Sequence, residues 1–396
     1  MTYRKTPDEL LRILSRWPVT QHNRPHEPHR ADPRAASAEG ANGVSGVKEK
    51  SEVRQGPKPL RVWDKKIMDN GKPWALISEV GGETGYLEEV VGMLTEHFQI
   101  ICHKELLQNP ALHGPKIQAL FNWKFLPVVE PALLALLPSL KVVVSGGMGT
   151  DHLDLPFINS LGVKVANTPG VVSDSTADLA MGLLLASARR ILEGHQISVD
   201  PKTTSLPGWL MGVEVTGSTL GIIGMGEVGY KIAQRSKGFA MRILYHNRSK
   251  RCVEDEEAVG AVYCESLCDL LRRSDFVMIA VKLTRDTTGL IGHAELSLMK
   301  PTAILINISR GQVVDQDALV KALQSGTIRA AALDVTDPEP LPRDHPLLGL
   351  PNVLINPHIG INTYTTAGRM VEKMVENALA GVKGLPLSNE VKPPNC

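Results

Sequence analysis

A glycine-rich turn between an apolar run and an amphipathic run is the feature that most constrains the fold of this 396-residue chain. Residues 224–229 read Gly-Met-Gly-Glu-Val-Gly, directly after the apolar residues 220–223. There the first glycine permits a tight turn, the second lets the backbone approach a pyrophosphate, and the third lets helix pack on strand. The turn predicts a dinucleotide-binding βαβ unit. Its predicted cofactor contacts are Gly224, Met225, Gly226, Glu227, Val228 and Gly229.

Strand-like and helix-like runs alternate on both sides of this turn. After it, strands are predicted at residues 242–246, 276–281, 303–308, 330–335 and 353–355. Before it, strands are predicted at residues 75–80, 98–102, 119–121 and 141–145. Such alternation is typical of parallel sheets covered by helices on both faces. It predicts an α/β protein with two Rossmann-like or flavodoxin-like parallel-sheet domains.

The order of these blocks predicts that one domain is inserted in the other. A helical pattern at residues 365–382 follows the last strand, and we expect it to return to the first block. The predicted substrate domain is therefore residues 71–172 plus 362–396, and the predicted nucleotide-binding Rossmann domain is residues 173–361. Residues 1–70 are polar, rich in Pro, His, Gly and Ser, and without a sustained period, which predicts a disordered extension.

The composition argues against several kinds of partner. The formal net charge of +1 provides no field that would attract nucleic acid or an anionic membrane. No apolar run approaches the ~18 residues of a membrane span. The five cysteines form no CxxC pair, which predicts reduced thiols and no metal site. We expect a cytoplasmic protein that binds neither nucleic acid nor a membrane.

The loop after the second strand of the glycine-rich unit bears on which dinucleotide binds. An NAD site places Asp or Glu there, to bond the ribose 2′-hydroxyl. Here no acid follows the strand, and the residues are Asn247, Arg248, Ser249, Lys250 and Arg251. Cations and small hydrogen-bonding groups bind a 2′-phosphate, which a carboxylate would repel. The loop predicts a preference for NADP(H), with NAD(H) as the alternative, and Asn247, Arg248, Ser249 and Lys250 as contacts.

Three polar segments follow strands of the nucleotide-binding block and contain Arg310, Glu339 and His358. Ligands of open α/β sheets bind outside the carboxyl ends of the strands. Taken alone, each residue has an ordinary structural interpretation: a surface cation, a loop acid or a core histidine. Together they supply what reduction of a keto acid needs. The arginine anchors a carboxylate, the histidine gives a proton, and the acid stabilises the protonated histidine.

The same segments carry a resemblance to a family. The glycine-rich turn, Asn-Ile-Ser-Arg-Gly at residues 307–311, Asp-Val-Thr-Asp-Pro-Glu-Pro at residues 334–340 and Pro-His-Ile-Gly at residues 357–360 resemble the D-isomer-specific 2-hydroxyacid dehydrogenases in content and order. The resemblance covers about residues 74–391. Four longer phrases, beginning at residues 174, 306, 332 and 377, are similar to the branch of the family that reduces glyoxylate and hydroxypyruvate.

The resemblance implies roles for individual residues. Arg310, Glu339 and His358 would be the substrate arginine, the acid paired with the histidine, and the proton donor. Met148 and Gly149 would hold the substrate carboxylate through backbone N–H groups. Asp334 would face the nicotinamide side of the cofactor. Further cofactor contacts would be Lys282, Ile308 and Gly360. The resemblance also implies a small 2-keto or 2-hydroxy acid as substrate and a homodimer.

Two departures from the family pattern affect the substrate. Ile361-Asn362-Thr363 follows the Pro-His-Ile-Gly segment, where the family usually has Ser-Ala-Thr. Residues 202–206 lack the tryptophans that the related branch carries ahead of its second domain, and Trp209 alone is nearby. Three alternatives share the fold: an NAD(H)-binding co-repressor-like interaction protein, a D-3-phosphoglycerate dehydrogenase-like enzyme and a formate dehydrogenase. The basic loop disfavours the first two, and the Glu–His pair disfavours the third.

Overall fold

The computed structural model describes residues 71–82, 85–205 and 207–393. The extension predicted at residues 1–70 lies outside the described residues. In the described part, the strands are β1 (Trp74–Ile77), β2 (Gln99–Cys102), β3 (Ile117–Asn122), β4 (Val142–Ser145), β5 (Lys164–Ala166), β6 (Thr219–Ile223), β7 (Arg242–His246), β8 (Ala261–Tyr263), β9 (Phe276–Ile279), β10 (Ile304–Asn307), β11 (Ala330–Leu333) and β12 (Val353–Ile355).

The α-helices of the same part lie between these strands and after the last one. They are α1 (Glu88–Thr95), α2 (His103–Gln108), α3 (Pro110–His113), α4 (Pro131–Ala135), α5 (Leu155–Ser160), α6 (Ser173–Ala188), α7 (Ile191–Val199), α8 (Glu227–Ser236), α9 (Val253–Val259), α10 (Leu267–Arg273), α11 (His293–Leu298), α12 (Gln316–Gln324) and α13 (Tyr364–Val382).

Two parallel sheets organise the described residues, which confirms the predicted fold class. The first has the order β2-β1-β3-β4-β5, and the second has the order β12-β11-β10-β9-β6-β7-β8. Every pairing between these strands is parallel. In the second sheet the strand order reverses between β6 and β9, and the glycine-rich turn follows β6. A crevice at such a switch point is where open α/β sheets bind ligands.

Helix α6 leads the chain from the first sheet to the second. It packs against α8, β10 and β11, and it buries small residues such as Ala177 and Ala180 completely. Its close approach to α8 is possible because these side chains are short. The helical stretch that begins with α6 is interrupted at Arg190, whose φ of 53° is left-handed, and α7 begins after it.

Helix α13 returns to the first sheet and packs against β3, β4 and α1. A Cβ on Gly381 would lie 2.6 Å from Val142, so the glycine allows the helix to lie directly on the strand. The chain after α13 then pairs with β5, since the Val391 N–H donates to the Val165 carbonyl at 2.8 Å. The first sheet is therefore completed by residues far from it in sequence.

Candidate active site

The turn that carries His358 is held by Asp334, which follows β11. The Asp334 carbonyl accepts the His358 N–H at 2.8 Å, and its carboxylate accepts the N–H groups of Ile359 and Gly360 at 2.8 and 2.9 Å. Burial raises the pKa of the Asp334 carboxyl above its ordinary value, while the two N–H groups oppose that rise. His358 itself has a φ of 52°, a backbone conformation that L side chains rarely adopt. Asp334 thus fixes the conformation that presents His358.

His358 and Glu339 form a direct pair. The Nδ1 atom of His358 lies 2.8 Å from Oε2 of Glu339, and Oε1 of Glu339 accepts the Thr336 N–H at 3.1 Å. A carboxylate only accepts, so Nδ1 carries the hydrogen and Nε2 is left to face a ligand. The structure therefore brings these two predicted catalytic residues together in a charge-assisted geometry.

Arg310 reaches across to the loop after β4 of the first sheet. Its Nε lies 3.0 Å from Oδ2 of Asp151, its Nη2 lies 3.0 Å from Oδ1, and its Nη1 donates to the Ser309 carbonyl at 2.8 Å. A Cβ on Gly149 would lie 2.0 Å from Nη2 of Arg310. Gly149 therefore leaves the space that the guanidinium fills.

The loop around Met148 and Gly149 is held by hydrogen bonds that leave two N–H groups available. The Gly147 N–H donates to Thr168 Oγ1 at 2.8 Å, and the Met148 carbonyl accepts from Asn167 Nδ2 at 2.7 Å. No described residue accepts the N–H of Met148 or of Gly149. Two free neighbouring N–H groups beside a guanidinium are suited to an anionic ligand such as a carboxylate.

Phe125, in the loop after β3, lies beside His358. We call the space between His358, Arg310 and the Met148–Gly149 loop the cleft. Its ring centroid lies 5.8 Å from that of His358 and 4.9 Å from that of His152. Lys124 and Phe125 both have positive φ, 50° and 66°, so the backbone is strained where it presents the ring. Sequence reasoning missed Phe125, because nothing in its local pattern distinguishes it.

His152 is a half-buried, neutral side chain next to the Phe125 ring. Its Nε2 lies 2.9 Å from Oδ1 of Asn122, whose Nδ2 donates to the Pro127 carbonyl. Nε2 therefore carries the hydrogen, and the buried Nδ1 has no hydrogen-bond partner among the described residues. Burial lowers the pKa of His152 to about 4, with Asp151 opposing and Arg310 reinforcing the shift. The sequence analysis did not single out His152 or Asp151, although Asp151 is an acid two residues after Gly149.

The glycine-rich turn has the shape that a dinucleotide requires. Gly224 has a φ of 95°, and a Cβ on it would lie 2.7 Å from the Ala280 carbonyl oxygen. A Cβ on Gly229 would lie 2.4 Å from the Gly224 oxygen, so this glycine permits the close packing of α8 on β6. Gly226 is exposed and faces open space at the N-terminus of α8, where N–H groups lack intrahelical acceptors. These residues fit a pyrophosphate.

The other residues of the turn divide between core and surface. Met225 is completely buried, and Val228 is half-buried. Glu227 begins α8 and accepts a hydrogen bond from Ser173 Oγ at 3.2 Å, which links the turn to α6. The buried Met225 thus anchors the turn while its neighbours face solvent.

The loop after β7 divides into residues that support the turn and residues that remain free. Asn247 Oδ1 accepts the Met225 N–H at 2.7 Å, and Arg251 donates to the Met225 carbonyl at 2.9 Å. Lys250 lies 3.3 Å from the Glu256 carboxylate. Among the described residues, none bonds the exposed side chains of Arg248 and Ser249. The Asn247 side chain is thus hydrogen-bonded to the turn. Among the described residues, the Arg248 guanidinium has no partner and could contact a phosphate.

The remaining predicted cofactor residues lie at carboxyl ends of strands. Ile308 follows β10 and is buried, Lys282 follows β9 and is exposed, and Gly360 follows β12. They therefore lie on the edge of the second sheet that also carries the glycine-rich turn. Within residues 71–82, 85–205 and 207–393, no three His, Cys, Asp or Glu side chains converge as metal ligands, and no helix is long and apolar enough to cross a membrane.

Comparisons with known proteins agree with this geometry. The family model for the NAD-binding domain of the D-isomer specific 2-hydroxyacid dehydrogenases matches residues 181–360. A glyoxylate reductase from Aeropyrum pernix is 45% identical over 261 residues, which are 65% of this chain and 77% of the relative. The chain belongs to the D-isomer-specific 2-hydroxyacid dehydrogenase family. The resemblance seen in the sequence is thereby confirmed, and this member is an NAD(P)-dependent oxidoreductase.

Two further relatives of this family member bear names that specify substrates. The human glyoxylate reductase/hydroxypyruvate reductase is 45% identical over 256 residues, which are 64% of this chain and 77% of that protein. The crystal structure of an NADPH-dependent glyoxylate/hydroxypyruvate reductase from Sinorhizobium meliloti, in complex with NADP and malonate, has a TM-score of 0.69 at 30% identity. That match covers 81% of this chain and 97% of the other.

Proposed function

We propose that this dehydrogenase family member uses NADPH to reduce a small 2-keto acid, glyoxylate or hydroxypyruvate, to the 2-hydroxy acid, glycolate or D-glycerate. One observation carries the proposal: the His358–Glu339 pair lies in the same cleft as Arg310 and the free N–H groups of Met148 and Gly149. Reduction of a keto acid needs a proton donor for the carbonyl oxygen and an anchor for the carboxylate. The names of the relatives support the choice of substrates.

The residues of the cleft divide the work of this reaction. A reduced nicotinamide, when bound at the carboxyl edge of the second sheet, would supply the hydride that C2 of the keto acid accepts. Arg310 and the Met148 and Gly149 N–H groups hold the carboxylate. His358 donates a hydrogen bond from Nε2 to the carbonyl oxygen and then transfers that proton, so the product is a neutral alcohol. Glu339 stabilises the imidazolium from the other side of the ring.

The loop after β7 supports NADPH as the preferred cofactor. The Arg248 guanidinium and the Ser249 hydroxyl are exposed and have no partner in the described part of the chain, whereas an NAD-specific site would offer a carboxylate here. Asn247 and Arg251 keep the turn in place, and the charge of Lys250 is partly offset by Glu256. We assign the 2′-phosphate contact chiefly to Arg248 and Ser249.

A homodimer is proposed from the surface around α7. No residue of α7 is buried, although Ile191, Leu192 and Val199 are apolar. Trp209 and Met211, which follow it, are 63% and 69% exposed. Exposed apolar side chains gathered on one surface are typical of an interface with another protein chain.

A cytoplasmic location is proposed in turn, because Cys102, Cys252, Cys264 and Cys268 are free thiols.

Steady-state assays test the function. Glyoxylate, hydroxypyruvate and pyruvate are each offered with NADPH and with NADH, and His358→Gln serves as the inactive control. We expect turnover of the first two substrates and a kcat/KM for NADPH at least about 10-fold above that for NADH. A preference for NADH would overturn the cofactor assignment. No turnover with any pair, but tight NADH binding, would favour the co-repressor-like alternative.

A further inference from the structure

Arg310 binds Asp151 through only one edge of its guanidinium. Nε contacts both carboxylate oxygens of Asp151, at 3.0 and 3.2 Å, and Nη2 contacts Oδ1 at 3.0 Å. Nη1 donates to the Ser309 carbonyl at 2.8 Å. A guanidinium has five N–H groups in one plane. The described residues use one on Nε, one on Nη2 and one on Nη1, so within them each terminal nitrogen keeps one N–H group without an acceptor.

Two N–H groups on neighbouring terminal nitrogens form the fork that binds a carboxylate through both oxygens. Arg310 can therefore bind Asp151 and a substrate carboxylate at the same time, on different edges. Asp151 does not need to be displaced when a keto acid binds. Its carboxylate instead limits rotation of a side chain that would otherwise have several rotamers.

The surroundings keep this pair intact. The side chains of Asp151 and Arg310 are only 29% and 21% exposed, so the pair is partly shielded from water. Burial raises the pKa of the Asp151 carboxyl, but hydrogen bonds and charge from Arg310 outweigh it and leave the pKa below its ordinary value. His152, the next residue, is neutral above about pH 4 and adds no charge. Asp151 is therefore a carboxylate at neutral pH, paired with the Arg310 guanidinium.

The pair also joins the two domains. Asp151 belongs to the loop after β4, whose N–H groups at Met148 and Gly149 face the cleft, and Arg310 follows β10 of the other sheet. Gly149 lies between the two partners, since a Cβ there would be 2.7 Å from Oδ1 of Asp151 as well as 2.0 Å from Nη2 of Arg310. The guanidinium and the backbone N–H groups thus have a fixed relation to each other.

We propose that Asp151 is a positioning residue, which holds Arg310 so that its free edge and the Met148 and Gly149 N–H groups bind one substrate carboxylate together. This inference rests on the proposed function and specifies its carboxylate site. Loss of Asp151 leaves Arg310 charged but free to turn away. Binding of the carboxylate therefore weakens even though the local net charge becomes more positive.

The test compares Asp151→Asn with the wild-type enzyme. Oxamate, an unreactive analogue of a 2-keto acid, is titrated into the NADPH complex, and its Kd is read from NADPH fluorescence. We expect Kd for oxamate and KM for glyoxylate to rise about 10- to 100-fold, with a smaller change in kcat. Kd for NADPH and the Tm stay the same. Asp151→Glu, which restores a carboxylate, recovers part of the loss.

Asp269→Asn is the matched control, because it breaks an Asp–Arg pair with Arg273 on the surface of the nucleotide-binding domain. It should leave Kd for oxamate unchanged. An unchanged Kd in Asp151→Asn overturns the inference, and a lower Kd would mean that Asp151 competes with the substrate. Wild-type enzyme that binds oxamate but reduces no keto acid would overturn the proposed function alone, because the titration needs no turnover.

Discussion

Oε2 of Glu339 and Nδ1 of His358 are 2.8 Å apart, and the second oxygen of the same carboxylate accepts the Thr336 N–H. Each carboxylate oxygen of Glu339 therefore has a hydrogen-bond partner. The tautomer and the ring plane of the His358 imidazole are set before a substrate binds. Nε2 is the ring nitrogen that remains for proton transfer.

Glu339→Gln should reduce kcat for glyoxylate about 100-fold, because a neutral amide no longer stabilises the imidazolium that gives the proton. The Kd for NADPH should stay within twofold of the wild-type value. Single-turnover kinetics and a fluorescence titration measure the two quantities. Glu257→Gln, at an exposed position on α9, is the control. Full activity in Glu339→Gln would show that the Glu339 carboxylate is not needed for proton transfer.

Arg248→Ala should raise KM for NADPH about 10-fold and leave KM for NADH unchanged, because only the former carries a 2′-phosphate. Lys250→Ala is the informative comparison within the same loop. Lys250 lies 3.3 Å from the Glu256 carboxylate, so Lys250→Ala should raise KM for NADPH less than Arg248→Ala does. Steady-state assays with both cofactors decide the matter. An equal rise of KM for NADPH and for NADH in Arg248→Ala would show that this side chain does not bind the 2′-phosphate.

Phe125→Ala should widen the cleft beside His358. The ratio of kcat/KM for phenylpyruvate to that for glyoxylate is expected to rise about 10-fold, since a removed ring leaves room for an apolar substituent. Val128→Ala, at an exposed position of the same loop, should not change the ratio. A constant ratio in Phe125→Ala would mean that the ring does not limit substrate size.

His152 should make the folded state less stable in acid. Its pKa is about 4 in the folded protein and 6.5 as the ordinary value, so unfolding takes up a proton between these pH values. This contribution to stability is complete above pH 6.5 and is lost as the pH falls from 6.5 towards 4. Between pH 7 and pH 5 the loss amounts to about 2 kcal/mol.

Urea unfolding at both pH values measures this loss in the wild type, in His152→Gln and in the exposed control His97→Gln. The His152 variant should lose less stability between pH 7 and pH 5 than the other two proteins. Parallel losses in all three would show that His152 does not contribute.

Most strands of the second sheet were predictable because their signals are local, but the three-residue strand β8 was not predicted. The predicted strands at residues 242–246 and 353–355 match β7 and β12 residue for residue, since apolar runs and flanking breakers set both ends. The break between α6 and α7 was not predictable. Arg190 turns left-handed without a glycine or proline to mark it, so its conformation follows from tertiary packing.

The candidate active site was likewise predictable only in part. The glycine-rich turn and the strand-end positions of Arg310, Glu339 and His358 could be predicted from motifs. The contacts that residues of the first sheet's domain make with them could not. Asp151 and Phe125 approach from a different domain, and no pattern within either segment encodes that approach. Likewise, the Asp334 carboxylate bonds two N–H groups of the His358 turn, a use that only the folded chain reveals.

The return of the chain to β5 has a consequence for biosynthesis. The second sheet is built from one continuous stretch, β6 to β12, and its core can form as soon as that stretch has left the ribosome. The first sheet lacks α13 and the Val391–Val165 hydrogen bond until those later residues have been translated. The stretch that forms the second sheet can therefore fold before the first sheet is complete, and the cleft forms only after α13 has been added.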